Sequence, residues 1–437
     1  MKRISILFTV LLCCAGCTSD KNVSRTNVQH PEWIKDAVLY QVNVRQFTPE
    51  GTFAALEGHL DRLSELGVDI LWLMPIHPIG VEGRKGSLGS YYSPRNFKDV
   101  NPEFGTMADF DHFLVTAHDK GFKVILDWVA NHTSRDADWT VDHNDWYFKD
   151  SLGNLAVQYD WTDIAHLNYE NNDALREAMT ECLEFWVKKG IDGFRCDMAS
   201  EVPVDFWETA FSHLRSINPD LFFLAEAEKP ELQINAFDSY YSWQRMNLFY
   251  EIAEGKVTAD SLSRFYIGYE QNTGMPHGTL AMNFLSNHDQ NSWTGTNESK
   301  YGSLGGVRQM AALTFTLAGI PMLYTADEIC LPKQLQFFEK DPVDWSSDPG
   351  NMTDFYKGMI SLRDAHQCLW AYPWGGEMTV TENSNPQDLF SFHREVKGDA
   401  VDAYFNFSDN ALIEDQINIP AHGYAFKFDS GDIIVGR

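Results

Sequence analysis

The sequence GIDGFRCD, residues 190–197, places an arginine and an aspartate inside a short apolar run. Successive side chains of a strand point to opposite faces, so Arg195 and Asp197 share one face. Burying a lone ionised aspartate is costly, whereas a neighbouring guanidinium favours the charged form and lowers the pKa of the carboxyl. An isolated pair of this kind is most often a structural ion pair, so its meaning depends on the rest of the chain.

Strand-like runs alternate with segments of helical periodicity from about residue 36 onwards. The predicted strands are residues 38–47, 68–75, 122–129, 193–198, 221–227, 237–243, 280–286 and 321–325. The predicted helices include residues 52–66, 107–120, 173–189 and 305–317. Such repeats predict an α/β fold, a closed (β/α)8 TIM barrel with a parallel sheet, in which Asp197 ends the fourth strand.

Two long loops and a C-terminal β segment depart from the repeat. Residues 77–101 follow the second predicted strand, and residues 133–172 follow the third as an inserted loop domain. Long loops at the carboxyl ends of barrel strands are where barrel enzymes build their sites. Beyond a helix at 351–366, short alternating runs predict a C-terminal antiparallel β-sandwich domain at 370–437, which leaves the catalytic barrel at 32–369.

The N-terminus has the pattern of a targeting segment. Lys2 and Arg3 precede an apolar run at 4–12, too short to span a bilayer, and the small residues after it end at Cys17. Residues 1–17 resemble a bacterial lipoprotein signal, with Cys17 as the lipidated residue; an ordinary secretory signal is the alternative. Residues 18–31 would be a polar tether. We therefore expect an exported protein, lipid-anchored to the cell envelope at the outer membrane or in the periplasm.

The composition narrows the choice of partners. The chain carries 34 basic and 62 acidic residues, and its formal charge of −28 repels phosphate backbones, which argues against nucleic acid. Its 13 Trp, 17 Tyr and 29 Phe residues offer flat faces suited to sugars, although most aromatic side chains lie in cores. The widely spaced cysteines beyond the targeting segment are predicted to be small buried hydrophobes: Cys182, Cys196, Cys330 and Cys368.

Carboxylates end three of the predicted strands: Asp197 the fourth, Glu226 the fifth and Asp289 the seventh. Strand ends converge on the barrel axis, so we expect these side chains to share a pocket. One carboxylate held ionised by Arg195 beside a second kept protonated is the arrangement of a retaining glycosidase, with carboxyl groups about 5–5.5 Å apart. An aspartyl dyad or a two-metal site is the rival, but no His-x-x-x-His or Glu-x-x-His spacing supports a metal.

Four short motifs resemble, in order, those of the α-amylase family of glycoside hydrolases (glycoside hydrolase family 13). They are DWVANH at 127–132, GFRCD at 193–197, AE at 225–226 and SNHD at 286–289. Similar stretches at 71–75, 89–93 and 166–169 extend the resemblance from about Tyr40 to Glu328. It covers most of the chain.

The resemblance implies a role for each matching residue. Asp197 would be the nucleophile that forms a covalent glycosyl-enzyme, and Glu226 would be the general acid/base. Asp289 would hold sugar hydroxyls and favour the oxocarbenium-like transition state. The implied substrate-binding residues are Tyr92, which stacks on the sugar, His132 and His288, which donate to its hydroxyls, and Arg195, which orients Asp197.

The chain departs from the family pattern at three positions. Glu228 stands where an aromatic residue is common, so two glutamates compete for the acid role, and the alignment of the third motif selects Glu226. Tyr91 and Asn96 replace a frequent proline and aspartate, which alters the substrate entrance rather than the chemistry. The family implies no cofactor for the reaction, and suggests a structural calcium with Asn131 as a ligand.

We therefore expect a retaining hydrolase of α-glucosidic bonds, α-1,4 foremost, acting on starch-derived maltodextrins or oligosaccharides. One alternative is an α-glucan transglycosylase, in which a sugar hydroxyl replaces water at the covalent intermediate. Another is a catalytically silent glucan-binding lipoprotein, against which the intact carboxylate trio argues. The expected partners are an α-glucan and, through Cys17, a membrane. Attack at chain ends or within chains is left open.

Overall fold

The structure, a computed structural model, describes residues 24–437, within which eight parallel strands close into a barrel. The strands are β1 (Leu39–Val42), β2 (Ile70–Leu73), β3 (Lys123–Trp128), β4 (Gly193–Cys196), β5 (Phe222–Ala225), β6 (Ser239–Tyr241), β7 (Leu280–Phe284) and β8 (Ile320–Tyr324). Around the barrel their order is β1-β8-β7-β6-β5-β4-β3-β2. Each predicted run overlaps one strand, and the predicted (β/α)8 barrel is confirmed.

The barrel strands are buried on both faces. Every residue of β1, β2, β4 and β5 is buried, which explains why these strands are continuous apolar runs in the sequence. One apolar cluster fills the barrel interior around Trp72, Phe222 and Met282, and a larger one lies between strands and helices. A polar side chain inside such a strand, such as Arg195, must therefore find its partners within the barrel.

The helices pack around the barrel between successive strands. Those of ten or more residues are Met107–Asp119, Asp173–Lys189, Val204–Ile217, Trp243–Ala253, Leu304–Thr316 and Met352–Ala365. The shorter helices are Val44–Phe47, Phe53–Glu57, Leu60–Leu66, Asp138–Asp142, Leu232–Asn235, Asp260–Tyr266, Tyr269–Thr273 and Asn297–Tyr301. The predicted helix at 52–66 is thus broken near Gly58.

The first strand is shorter than predicted. It ends at Val42, and Val44–Phe47 form a helical turn instead. Gln46 lies in that turn, and its amide donates to the carbonyls of Gln336 (2.8 Å) and Glu339 (2.7 Å) in the loop after β8. The chain can leave the strand here because the Gln46 side chain finds its hydrogen-bond partners in the loop after β8.

The inserted segment and the C-terminal part are built differently from the barrel. Within residues 133–172, Ile164–His166 pairs with His132–Ser134 as an antiparallel ribbon. The C-terminal strands form a five-stranded antiparallel sheet in the order Glu377–Val380, Leu389–Val396, Asp399–Asn406, Gly423–Phe428 and Ile433–Gly436, beside a ribbon of Leu412–Glu414 and Ile417–Ile419. The predicted antiparallel sheet is confirmed, whereas the boundary at 370 and the sandwich arrangement stay predictions.

The predicted signal segment, with Cys17, lies outside the described residues. Of the predicted tether, residues 24–31 are described and lie beside the amino-terminal end of β7, where the His277 N–H donates to the Ser24 carbonyl (2.8 Å). Among the helices of residues 24–437, none is long and apolar enough to cross a membrane. The four cysteines predicted to be buried are buried and free of disulfides.

Candidate active site

Asp197 and Glu226 leave neighbouring strands at the same end of the barrel. Cys196 of β4 pairs with Ala225 of β5, so the next residues, Asp197 and Glu226, lie beside each other. The ladder continues through both, because the Asp197 N–H donates to the Trp128 carbonyl (2.9 Å) and the Glu226 N–H to the Cys196 carbonyl (3.0 Å). The two carboxyl groups are therefore held side by side by backbone, at the carboxyl end of the sheet.

Arg195 lies beneath this pair with a fully buried side chain. Its Nη1 donates to Asp197 Oδ1 (3.1 Å) and to Asp127 Oδ1 (2.8 Å), and its Nε donates to the Tyr241 hydroxyl (3.1 Å). Its Nη2 lies 3.0 Å from Glu226 Oε1, without the angle of a hydrogen bond. One guanidinium is thus shared by three carboxylates.

Asp127 completes the base of the site, although sequence analysis assigned it no role. Its Oδ2 accepts from the Tyr92 hydroxyl (2.9 Å) and from Trp72 Nε1 (3.1 Å), and its side chain is fully buried. Asp127 opens the first motif on β3, and Tyr241 ends β6, so each could have been found as a polar residue on a barrel strand. Their function is to hold Arg195, and through it Asp197, in place.

Burial sets the protonation of the two carboxyl groups. It raises the pKa of Asp197 to about 7 and that of Glu226 to about 8, against the opposing charge of Arg195. The prediction that the pKa of Asp197 falls is wrong, because desolvation outweighs a guanidinium shared with Asp127 and Glu226. Glu226 has the higher pKa of the two, which suits Glu226 as the acid and Asp197 as the nucleophile.

Asp289 and His288 lie after β7. Asp289 precedes the helical turn Gln290–Thr294, its side chain is 39% exposed, and its Oδ2 is 3.3 Å from His288 Nε2. Burial lowers the pKa of His288 to about 4, so the ring is neutral near pH 7. The Gln41 amide lies 2.7 Å from His288 Nδ1, and with that nitrogen as the acceptor, Nε2 carries the proton and faces Asp289.

His132 and Tyr92 border the same cavity. His132 Nε2 lies 2.8 Å from the Tyr92 carbonyl and Nδ1 lies 3.1 Å from Asn131 Nδ2, so both ring nitrogens already have protein partners. Burial lowers the pKa of His132 to about 4. The Tyr92 ring stacks on His288 at 5.0 Å between centroids. The implied donation from His132 to a sugar would require its bond to the Tyr92 carbonyl to open.

A cavity of about 530 Å³ joins these groups. Six predicted site residues line it: Tyr92, His132, Asp197, Glu226, His288 and Asp289. Arg195 lies below its floor. Sequence analysis missed four further aromatic residues of the lining, which come from loops without periodicity: Trp161, Trp293, Phe337 and Phe338. Concave sites lined by aromatic rings with a few convergent polar groups are typical of ligand pockets.

Asn131, the predicted calcium ligand, lies buried beside His132 and Gln158. Its amide nitrogen donates to Gln158 and contacts His132, and its side chain is buried. Across residues 24–437, no group of three or more His, Cys, Asp or Glu side chains is placed to hold a metal ion. Both Asn131 contacts use the amide nitrogen, whereas Ca²⁺ binds oxygen, so calcium at Asn131 stays a prediction that chelation followed by thermal unfolding would test.

Comparison with known proteins finds relatives along most of the chain. The family model described as "Alpha amylase, catalytic domain" matches residues 20–151 and 140–371. The chain is 27% identical to alpha-amylase MalA of Haloarcula japonica over 421 residues, 93% of this chain and 59% of that protein. The structure superposes on an alpha-amylase from Lactobacillus plantarum with a TM-score of 0.81 and 26% identity, covering 92% of this chain and 99% of that one.

A noncanonic maltogenic alpha-amylase, AmyB, from Thermotoga neapolitana is also similar, with a TM-score of 0.79 and 27% identity over 92% of this chain and 94% of that one. The family match assigns this barrel and its carboxylates to the glycoside hydrolases. The chain belongs to the alpha-amylase family. It spans 59% of the length of the Haloarcula relative.

Proposed function

We propose that the protein hydrolyses α-glucosidic bonds, α-1,4 foremost, in maltodextrins or related oligosaccharides, and that it retains the anomeric configuration. The observation that carries the proposal is the buried pair Asp197 and Glu226 at the carboxyl end of the barrel, both in contact with Arg195. Contact with neighbouring nitrogens of one guanidinium keeps the carboxyl groups close. That favours retention, since inverting pairs stand about 6.5–9.5 Å apart to admit water.

Two displacements at the anomeric carbon make up the proposed reaction. Asp197 attacks that carbon while Glu226 gives its proton to the departing oxygen, so one glycosidic bond breaks and one glycosyl ester bond forms. Glu226, now a carboxylate, takes a proton from water, and the oxygen of that water displaces Asp197. Asp289 and the neutral His288 lie where the hydroxyls of the bound sugar would be held.

Incubation with maltoheptaose tests this proposal. We expect shorter products that are initially α-anomers by NMR, and we expect Asp197→Asn to abolish their release. Products longer than the substrate at high sugar concentration would indicate transglycosylation at the same intermediate. Products that are initially β-anomers would contradict retention, and binding without turnover would support a silent glucan-binding protein instead.

We also propose that the mature protein is exported and carries lipid on Cys17, anchored in the bacterial envelope. The support is the sequence pattern that ends at Cys17. Full-length protein made in a bacterial host should partition into the detergent phase, and Cys17→Ser should move it to the aqueous phase. Equal partitioning of both into the aqueous phase would favour an ordinary secretory signal.

A further inference from the structure

The active-site cavity has a wall directly opposite Glu226. Arg45 follows β1, residues 85–90 follow β2, and residues 336–340 follow β8. β1 lies between β2 and β8, whereas β5, which leads to Glu226, is four strands away from β1 in either direction around the barrel. The loops beside β1 therefore face the acid across the barrel mouth.

Two of these loops are joined to each other by backbone and side-chain bonds. The Leu88 N–H donates to the Phe338 carbonyl (3.1 Å), and the Ser87 N–H donates to Glu339 Oε1 (2.8 Å). The Ser87 hydroxyl also donates to Glu339. Gly86 has φ +62°, and a Cβ there would stand 2.6 Å from the Cβ of Phe338, so only glycine allows this approach.

A buried arginine holds both loops from behind. Arg45, 1% exposed, donates to the carbonyls of Gly89 (3.0 Å), Leu88 (3.3 Å) and Phe337 (3.4 Å). Its guanidinium lies 4.1 Å from the centroid of the Tyr91 ring. Because the planar guanidinium of Arg45 binds carbonyls of the loops after β2 and β8, the two loops are fixed relative to each other and form a single wall.

The wall continues along the cavity toward the inserted segment. Lys85 Nζ lies 3.3 Å from Asp163 Oδ1, and both residues line the cavity. Trp293, 58% exposed, packs on Phe337 and Phe338 with centroids at 5.5 and 5.9 Å. The ion pair joins the loop after β2 to the inserted segment, and the aromatic contacts join the loops after β7 and β8.

The chemistry of the proposed reaction fixes which end of the substrate meets this wall. The general acid protonates the oxygen of the departing sugar, so the leaving part of the glucan lies on the Glu226 side. Asp289, Phe337 and Phe338 line the cavity after β7 and β8, two and three strands away from β5 and Glu226. The sugar that becomes attached to Asp197 lies on the side of the broken bond away from Glu226. In an α-glucan this is the non-reducing end of the chain.

From this arrangement we infer that the wall terminates the glycone side of the site, so that the enzyme acts from the non-reducing ends of short α-glucans and not within long chains. The inference rests on the proposed glycoside hydrolysis and adds the direction of attack. A cavity of about 530 Å³ is the size of a site for a small ligand, which suits a short oligosaccharide. The remainder of the chain leaves on the side of Glu226, away from the wall.

A matched pair of maltoheptaosides tests the inference, one with a free non-reducing end and one with that end blocked by a 4,6-acetal. We expect kcat/KM for the blocked sugar to be lower by more than about 100-fold, because the added group meets a fixed wall. Cleavage of both at rates within about threefold would overturn the inference while leaving hydrolysis intact. Cleavage of neither would overturn the proposed function, and the inference with it.

Variants of the wall provide a second measurement. Glu339→Ala removes both bonds to Ser87, and the ratio of blocked to free cleavage should rise by about tenfold as the loops separate. Ser87→Ala removes the hydroxyl bond alone and should raise the ratio less. Glu382→Ala, an exposed carboxylate of the C-terminal part, is the control and should leave the ratio unchanged. An unchanged ratio in both wall variants would contradict the assignment.

Discussion

At the scale of single residues, the protonation of the site depends on one guanidinium, that of Arg195, which contacts three carboxyl groups. Sequence analysis predicted that Arg195 and Asp197 share a strand face, and Arg195 Nη1 does donate to Asp197 Oδ1 at 3.1 Å. It did not predict that Asp127, from a different strand, takes the shorter bond of 2.8 Å. Desolvation depends on everything packed around a group, so motif spacing could not reveal that it would dominate the pKa of Asp197.

The pH dependence of kcat/KM follows from these pKa values. Asp197, with a pKa raised to about 7, loses its nucleophilic charge as the pH falls through that value. Glu226, with a pKa raised to about 8, loses its acidic proton as the pH rises through that value. We expect a bell-shaped profile with its maximum between these values, and Glu226→Gln should remove the alkaline limb from the residual activity. A profile that is flat from pH 6 to 9 would contradict the assignment.

The two neighbouring glutamates can be separated by substitution. Glu226→Ala should lower kcat/KM on maltoheptaose by about 10²–10⁴-fold, and by less on α-glucosyl fluoride, whose leaving group needs no proton. Glu228→Ala should change either rate by less than about tenfold, because Glu228 accepts from the Gln244 N–H (3.1 Å) and is absent from the cavity lining. The reverse pattern would make Glu228 the acid.

At the scale of helices, strands and loops, hydrophobic periodicity predicted the buried strands of the barrel but not the loops that line the site. The barrel strands were found because burial on both faces demands apolar runs. The loops that follow β2, β3 and β8 carry no periodic pattern, so Trp161 and Phe337 could not be assigned to the site from sequence. The end of β1 at Val42 was missed because the polar groups that follow it are satisfied by the loop after β8.

One helix start offers a stability test away from the site. Thr106 accepts from the Asp109 N–H (3.2 Å) while Asp109 accepts from the Thr106 N–H (2.7 Å), a capping box at the start of Met107–Asp119. Thr106→Ala should lower the free energy of unfolding by about 1 kcal/mol in urea titrations, with kcat/KM unchanged. Thr209→Ala, in the middle of an exposed helix face, should change the stability by less than about 0.5 kcal/mol.

At the scale of the whole molecule, the C-terminal sheet is attached to the barrel by buried polar groups. Gln309 of the helix Leu304–Thr316 donates to the carbonyls of Asn406 (2.6 Å) and Gly423 (3.0 Å) in the sheet. Arg394 of the sheet donates to the Thr316 carbonyl (3.0 Å) at the end of that helix. The sheet was predicted from alternating runs, but its attachment was not, since an arginine in such a strand usually faces water.

Arg394 is expected to be a large determinant of stability. Its side chain is fully buried, and it also donates to the carbonyls of Leu317, Leu369, Trp370 and Gly376. Arg394→Met leaves these carbonyls without partners and should cost more than about 3 kcal/mol, measured as a lower midpoint of a single thermal transition. Lys427→Met, two strands away in the same sheet, should leave the midpoint nearly unchanged. Two separate transitions in the wild type would show that barrel and sheet unfold independently.

The central claim, that Asp197 forms a covalent bond to the sugar, can be measured directly. An electron-withdrawing fluorine slows both displacements, and the fluoride leaving group restores the first, so 5-fluoro-α-glucosyl fluoride should accumulate the glycosyl-enzyme. Mass spectrometry of the digested protein should then show one fluoroglucosyl group on the peptide that contains Asp197, and none in Asp197→Asn. A label on any other carboxylate, or turnover of the reagent without a label, would contradict the account.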